Sequence, residues 1–483
     1  MLSERRAATT LLALAVAAAG AVYFVTAAIP GSGTVRDAAF VLLAALVLVH
    51  MVRHADPAWL ISAGLAATMF SGHWQLLGLN TTVVPDRALL VTGLLAVMLR
   101  LGPSRDRPPL RLGLVHFVLA GAIVYALVSA LLSQTLTNRD GVFALIDQFG
   151  LIPFVVFATA PVVFRTVRQR NILLGSLVAT GGYLGVTGLF EKLKLTALVV
   201  PSYVMHPAVG VHFGRARGPF VEAGADGLAM YACAVAAALA FALWRERWQR
   251  IAALAVSALC LVGVLLTETR GIWLGAVVAS LLVLAAAPAL RRFLIPVAVG
   301  GACLVLVALA VIPGLAASVN GRSSDQSPVW ERENSDKAGL RMVAARPLAG
   351  FGWYHHNQSA EPYFRQAPTI PLSGEKAGLH NVFLIYAVDL GLVGFGVWLA
   401  GAALAFGGAV SRRGPPDLDM WRLGLAALVA SYITYGLTGP LEYTYPTLLL
   451  WLWAGVAYRP RRETSSAAGA WGDHLERLPG EAA

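Results

Sequence analysis

The chain has 483 residues, of which 57% are hydrophobic and 13% charged, with a mean hydropathy of +0.68; a domain folded in water around one core does not have this composition. The formal net charge is +11, yet most arginines border apolar runs, so topology and anionic headgroups account for the charge and nucleic acid is not an expected partner. Cys233, Cys260 and Cys303 are odd in number, each inside an apolar run and without metal-ligand spacing, which argues against a disulfide framework or zinc site and leaves them as small core residues.

Apolar runs of spanning length recur about fourteen times. They fall at 8–27, 38–52, 58–78, 86–100, 113–135, 143–164, 171–190, 225–244, 250–267, 271–289, 293–313, 380–405, 421–438 and 444–458. The first, behind Arg5 and Arg6, is near span length and has no clear small-residue cleavage site, so it reads as a retained helix. With a cytoplasmic N-terminus every inside connection carries arginine, from Arg53 and Arg100 through Arg165, Arg245, Arg291 and Arg412 to Arg459. Outside loops hold little positive charge beyond Arg36, Arg87, Arg139 and Arg270. The expected fold is therefore an all-α polytopic bundle with both termini cytoplasmic.

Residues 1–463 read as one transmembrane domain, with long extracytoplasmic connections at 191–224 and 314–379, and 464–483 as a disordered cytoplasmic tail. Neither connection can build its own core, so both should lie on the bundle. The second opens with a polar stretch from Ser318 to Asp336 and continues into an amphipathic segment from Ala338 to Ala345, as a lid over a cavity would.

Three places at the outer face carry candidate chemistry. Arg270 stands between two apolar runs with almost no loop. A guanidinium at membrane depth costs about 2.5–3.5 kcal/mol and is usually aimed into a cavity or paired. Pairing with Glu268, or snorkelling, is the plain alternative. Arg215 and Arg217 precede Glu222, Asp226 and the start of an apolar helix, where guanidinium forks and free backbone N–H groups suit a diphosphate; a solvated turn paired with Glu222 is the other reading. His380 opens a helix at the mouth of a span, placed to act as general base on a hydroxyl, and Gly391 and Gly394 on the same face read as close helix packing.

Other features point less far. His355 and His356 are adjacent and lack metal-motif spacing, so no metal site is expected. Trp353, Tyr354, Tyr363, Tyr443 and Tyr445 fit either sugar stacking or an interfacial aromatic belt. No phosphate loop, Asp-x-Asp pair or serine elbow occurs, so the donor must be activated already and no cofactor is implied.

In order, Arg215-x-x-Gly218-Pro219-Phe220, Thr269-Arg270-Gly271-x-Trp273-Leu274, Arg346-Pro347-Leu348-x-Gly350-x-Gly352, and His380-Asn381-x-x-Leu384 with Gly391-x-x-Gly394 resemble the O-antigen ligase and O-antigen polymerase family. The resemblance runs from Arg215 to Gly394. It implies a membrane-embedded glycosyltransferase of the C type in the bacterial cytoplasmic membrane. Such an enzyme moves a glycan from a polyprenyl (undecaprenyl) diphosphate carrier to an acceptor hydroxyl outside, without metal or nucleotide. By the same carry-over Arg215 and Arg270 hold the diphosphate, Arg341 or Arg346 assists from the lid, and His380 is the base or positions the acceptor. The chain departs from the family at Glu222 and Gly224, where relatives show a Pro-Asn pair, and at Thr269, where serine is usual. The rival class is a secondary transporter of a small anionic solute, which calls for an inverted repeat and midplane polar residues that this chain does not display.

Overall fold

The structure, a computed structural model, describes residues 46–47, 49–79, 84–101, 110–324, 327–365, 378–411, 415–441 and 443–458. Every regular element among them is helical, as long apolar stretches must be where no water can satisfy the backbone. In chain order the main helices are α1 (Pro57–Ala67), α2 (Pro85–Met98), α3 (Leu114–Leu132), α4 (Leu151–Val163), α5 (Val167–Lys192), α6 (Ala223–Leu243) and α7 (Arg247–Leu266). They continue as α8 (Arg270–Ala286), α9 (Leu294–Val311), α10 (Leu315–Ser324), α11 (Ser327–Ala345), α12 (Val382–Val410), α13 (Asp419–Gly436) and α14 (Thr444–Ala457).

Among the described residues seven helices are long and apolar enough to cross a membrane: α3, Arg139–Val163, α5, α6, α7, Leu290–Val311 and α12. The protein is a multi-pass membrane protein. The run expected at 8–27, most of that at 38–52, and the tail from 464 lie outside the described residues. The run expected at 58–78 is not one helix. After α1 a short 3-10 turn ends at Phe70, and Gly72 and Gly78 adopt φ of +85° and +81°, which helical backbone does not allow.

α6 is the enclosed centre, built mostly of Ala, Gly and other small residues that let neighbouring helices approach closely. A Cβ on Gly181 of α5 would lie 2.8 Å from the Cys233 Cβ, and one on Gly263 of α7 2.2 Å from the Met230 sulfur. α8 packs on α13, α4 on α14 and α12 on α3. α9 lies outermost, exposing Ile295, Leu306 and Val311, an apolar face suited to lipid. Cys233 and Cys260 are buried, but Cys303 on α9 is exposed, so it is not the core residue expected.

At one end of the bundle the connections before α5 and α13 come together, with Arg170 meeting Asp417 at 2.5 Å; Arg100 donates to the Ala55 carbonyl at 2.7 Å. The starts of α6, α8 and α12 lie at the other. There α12 is interrupted, because Gly391 has φ +66° and ψ 177°. The backbone groups freed by the break pair with the segment after α11. Leu392 N–H donates to the Pro347 carbonyl at 2.7 Å, Phe351 N–H to Val388 at 2.8 Å and Gly352 N–H to Asp389 at 3.0 Å. A Cβ on Gly391 would stand 2.1 Å from the Leu348 oxygen. Gly391 therefore makes a helix break rather than a packing face, whereas Gly394 packs against Tyr125 as expected.

The Asp389 carboxylate receives the backbone N–H groups of Tyr354, His355 and His356, at 3.0, 3.1 and 2.8 Å, and lies 2.9 Å from the His356 ring Nδ1. This buried clamp locks the 346–356 segment onto α12. Trp353 is buried there, donating Nε1–H to the Gly141 carbonyl, meeting Phe149 edge-on and stacking near Tyr386. It is core, not a sugar platform; Tyr445 is buried as well.

The connection 314–379 is more helical than its polarity suggests. α11 starts at Ser327, well before Ala338, because its buried face includes polar Asn334 and Ser335 alongside Ala338 and Met342. Ser335 Oγ donates to the Gly378 carbonyl at 2.9 Å and accepts from His380 N–H at 3.1 Å. Met342, Ala360, Leu379, Ile385 and Val388 form the small apolar cluster that holds this segment on α12.

Candidate active site

The loop before α6 is organised by a carboxylate from below. Glu191, at the end of α5, accepts from the N–H groups of Arg217 and Gly218 at 3.2 and 2.9 Å. Arg217, 1% exposed, turns back into the same loop and donates to the carbonyls of Val204, His206 and Val209 at 2.7–2.9 Å. Its fork is used in closing the loop. Ala216 N–H donates to the Leu266 carbonyl at 3.0 Å, which sets half-buried Arg215 beside the turn leading to Arg270.

That turn is sharp. Glu268 has φ +49° and forms a buried ion pair with Lys192, so Arg270 begins α8 half-buried at its N-terminus. Arg332 of α11 approaches it. Burial lowers the Arg332 pKa from its ordinary value, and the neighbouring positive charge of Arg270 lowers it further, against the opposing influence of Tyr435, Glu331 and Asp336. Asp336, one helical turn along α11, takes a hydrogen bond from the Asn381 side chain. Burial raises its pKa above the usual carboxylate range, although Asn381, His380 and Arg332 favour the charged form.

Asn381 caps α12 with its side-chain oxygen, accepting from Phe383 and Leu384 N–H at 3.1 and 3.3 Å. His380 lies just outside the helix, exposed, with Nδ1 2.9 Å from the Gly378 carbonyl. A carbonyl only accepts, so the neutral ring carries its proton on Nδ1 and presents the Nε2 lone pair.

Tyr435 completes the group. A Cβ on Gly224 of α6 would fall 2.1 Å from its hydroxyl, so only glycine leaves room for it. The Tyr435 hydroxyl is 3.3 Å from that of Tyr443, and Tyr443 in turn hydrogen-bonds Glu222. Burial works to raise the Glu222 pKa, but His212 at 3.4 Å, Gly224 N–H and Tyr443 together hold it below the usual range.

Of the residues read as functional from sequence, the fold gathers Arg215, Arg270 and His380 at one end of the bundle. It does not bring Arg341 and Arg346 to Arg332. Arg341 is about two and a half turns from Arg332, hence on the opposite side of α11, and donates to the Tyr363 carbonyl at 2.9 Å. Arg346 is exposed over the Phe351 ring, 4.7 Å from its centroid. Arg332 and Asp336 were missed, although their one-turn spacing within a charged stretch was a legible signal.

Arg270, Arg332, Asp336 and His380 all fall within residues 255–399, which match the family model described as O-Antigen ligase. That segment is similar to the O-antigen ligase family. Within that O-antigen ligase region also lie the α12 break and the Asp389 clamp, whereas Arg215, Arg217 and Glu222 precede it. The search of curated proteins returned no match. Among the described residues no group of three or more His, Cys, Asp or Glu stands ready to hold a metal.

Proposed function

We propose that the protein is a metal-independent glycosyltransferase of cell-surface polysaccharide biosynthesis. It would take a glycan from a polyprenyl (undecaprenyl) diphosphate carrier at the outer face of the bacterial cytoplasmic membrane. The frame is a single C-type domain of about fourteen spans, residues 1–463, with both termini cytoplasmic. What supports the reading is that Arg270 lies within electrostatic reach of Arg332, and Asp336 within reach of both Arg332 and His380, all inside the segment that matches the O-antigen ligase model. Two guanidinium groups brought together despite their repulsion suit a ligand of higher negative charge, and a diphosphate supplies it.

In the reaction the acceptor oxygen forms a bond to the anomeric carbon as the bond from that carbon to the diphosphate oxygen breaks. The acceptor proton passes to Nε2 of His380, and the electron pair leaves with the diphosphate, whose growing charge Arg270 and Arg332 stabilise, with Arg215 alongside. Asp336 then faces the imidazolium. Arg217 serves by holding the loop that carries Arg215.

The deciding experiment supplies purified full-length protein in nanodiscs with a polyprenyl-diphosphate-linked glycan and a lipid-linked acceptor, with chelator present. Transfer accompanied by release of free polyprenyl diphosphate is expected. No transfer with any acceptor, together with glycan-independent uptake of a small anion into proteoliposomes, would replace this reading with transport.

A further inference from the structure

A cavity of about 970 Å³ opens beside the arginine group, on the far side of Glu222 and Tyr443. Its walls come from the turn after α1, the start of α2, the Arg139–Phe143 helix and the residues entering α6 and α14; Trp74, Arg87, Arg139, Phe143, Glu222 and Tyr443 give its character. The size lies at the upper end of ordinary ligand sites, about 300–1,000 Å³, and leaves room for more than one sugar ring.

Its charges are largely matched where they stand. Arg87 pairs with Asp147 at 2.6 Å, and Glu222 is held by His212 and Tyr443. The two arginines lie over the same ring, Arg87 at 4.2 Å and Arg139 at 5.3 Å from the Phe143 centroid, which fixes the position of both guanidinium groups. Such a lining combines fixed donors, a carboxylate acceptor and aromatic faces without a concentrated charge of one sign. It suits a hydroxyl-rich chain better than a diphosphate, which is drawn instead to Arg270 and Arg332. The bonded sequence Glu222, Tyr443, Tyr435 runs from the cavity wall to the neighbourhood of those arginines.

We infer that this cavity is the acceptor-glycan site, and that Glu222, backed by Tyr443, accepts a hydrogen bond from an acceptor hydroxyl and orients the chain toward the arginine pair. Assigning it to the acceptor rests on the transferase reading; glycan binding in the cavity can be tested without transfer. Glu222 is a positioning residue in this scheme, since the proton still goes to His380.

The test uses full-length protein in nanodiscs and, as probe, 2-aminobenzamide-labelled oligosaccharides released by mild acid from the envelope of the producing cells. Binding is read by fluorescence polarisation, with glycan-free polyprenyl diphosphate measured separately. Arg139 is exposed, so Arg139→Ala leaves the fold intact, and Glu222→Gln keeps an oxygen to cap α6. Each is expected to weaken oligosaccharide binding at least tenfold and leave polyprenyl diphosphate binding unchanged, with the reverse for Arg332→Ala. In transfer assays the same two variants should raise the acceptor KM and spare the donor KM. Unchanged oligosaccharide binding in both variants, or no binding to the wild type, overturns the site, as does competition between polyprenyl diphosphate and the oligosaccharide. Oligosaccharide binding sensitive to Arg139 and Glu222 in a protein that never transfers glycan would keep the cavity as a glycan site and sink the transferase reading alone.

Discussion

Arg332 on α11 and Arg270 at the start of α8 stand close enough for the charge of one to disfavour the charge of the other, although their helices are separated by α9, α10 and the turns between. Tyr435, Glu331 and Asp336 offset part of that repulsion, and the proposed diphosphate would offset more of it.

Loss of either arginine should therefore cost transfer without costing protein. Arg332→Ala and Arg270→Ala are each expected to lower turnover on the order of 10²–10³-fold, as removal of one preorganised charge-stabilising donor does. Arg270→Lys should also fall well below wild type, because an ammonium cannot supply two parallel hydrogen bonds to phosphate oxygens. Normal turnover per molecule, with reduced abundance in the membrane, would make the pair structural.

His380→Ala should reduce transfer about 10²–10⁴-fold while polyprenyl diphosphate binding stays near wild type. Asn381, not His380, caps α12, so the folded helix should survive, and a thermal melt checks that. Retention of more than about a tenth of wild-type turnover would leave His380 positioning the acceptor only.

Gly391→Ala should be far more damaging than Gly396→Ala on the same helix. At Gly391 the left-handed φ and a carbonyl 2.1 Å from the new Cβ leave no relaxed arrangement, whereas nothing lies within 4 Å of a Cβ on Gly396. The strained backbone alone costs about 1–3 kcal/mol before the clash is added. Monodispersity and melting temperature of the two detergent-purified variants compare them; equal stability would mean that the α12 break is not obligatory.

Asp389→Ala should unfold the clamp, because three buried or half-buried backbone N–H groups and the His356 ring lose their acceptor together. Each orphaned group carries a penalty of about 1–3 kcal/mol. Asp389→Asn keeps one side-chain oxygen and should be intermediate in melting temperature. An alanine variant melting like wild type would show that the segment is held by its apolar cluster instead.

Sidedness can be read with single cysteines in a Cys303→Ser background, needed because Cys303 is exposed. Ser359→Cys should react with an impermeant maleimide in intact cells, and Pro415→Cys, at the end where Arg170 meets Asp417, only after permeabilisation. The opposite pattern would move the arginine group to the cytoplasmic face.

Much of this molecule was decided by linear pattern. Apolar run length selects membrane-crossing helices, and arginine distribution gives the expected direction that the cysteine labelling tests, because both depend on transfer of single segments from water to lipid and not on which neighbour they meet. The same local logic marked Arg270 and His380, each conspicuous beside an apolar run. The polar stretch around Arg332 and Asp336 defeated that logic, since the buried face of α11 is partly polar and satisfied by residues near His380, so no hydrophobic period marks it.

Only the tertiary structure decided which arginines come near one another. Arg217 and Arg215 are neighbours in sequence, but one closes its own loop through backbone carbonyls and the other sits beside the Arg270 turn. Arg341 and Arg332 stand on opposite sides of one helix by their spacing alone, but only the docking of that helix decided that Arg332 comes near Arg270 while Arg341 donates to the Tyr363 carbonyl. The break at Gly391 is likewise a product of two segments meeting, since the glycine is required by the Leu348 carbonyl that approaches it and not by anything in its own helix. Contacts of this kind join residues far apart in the chain, and hydropathy, charge and local spacing carry no information about which distant backbone will arrive.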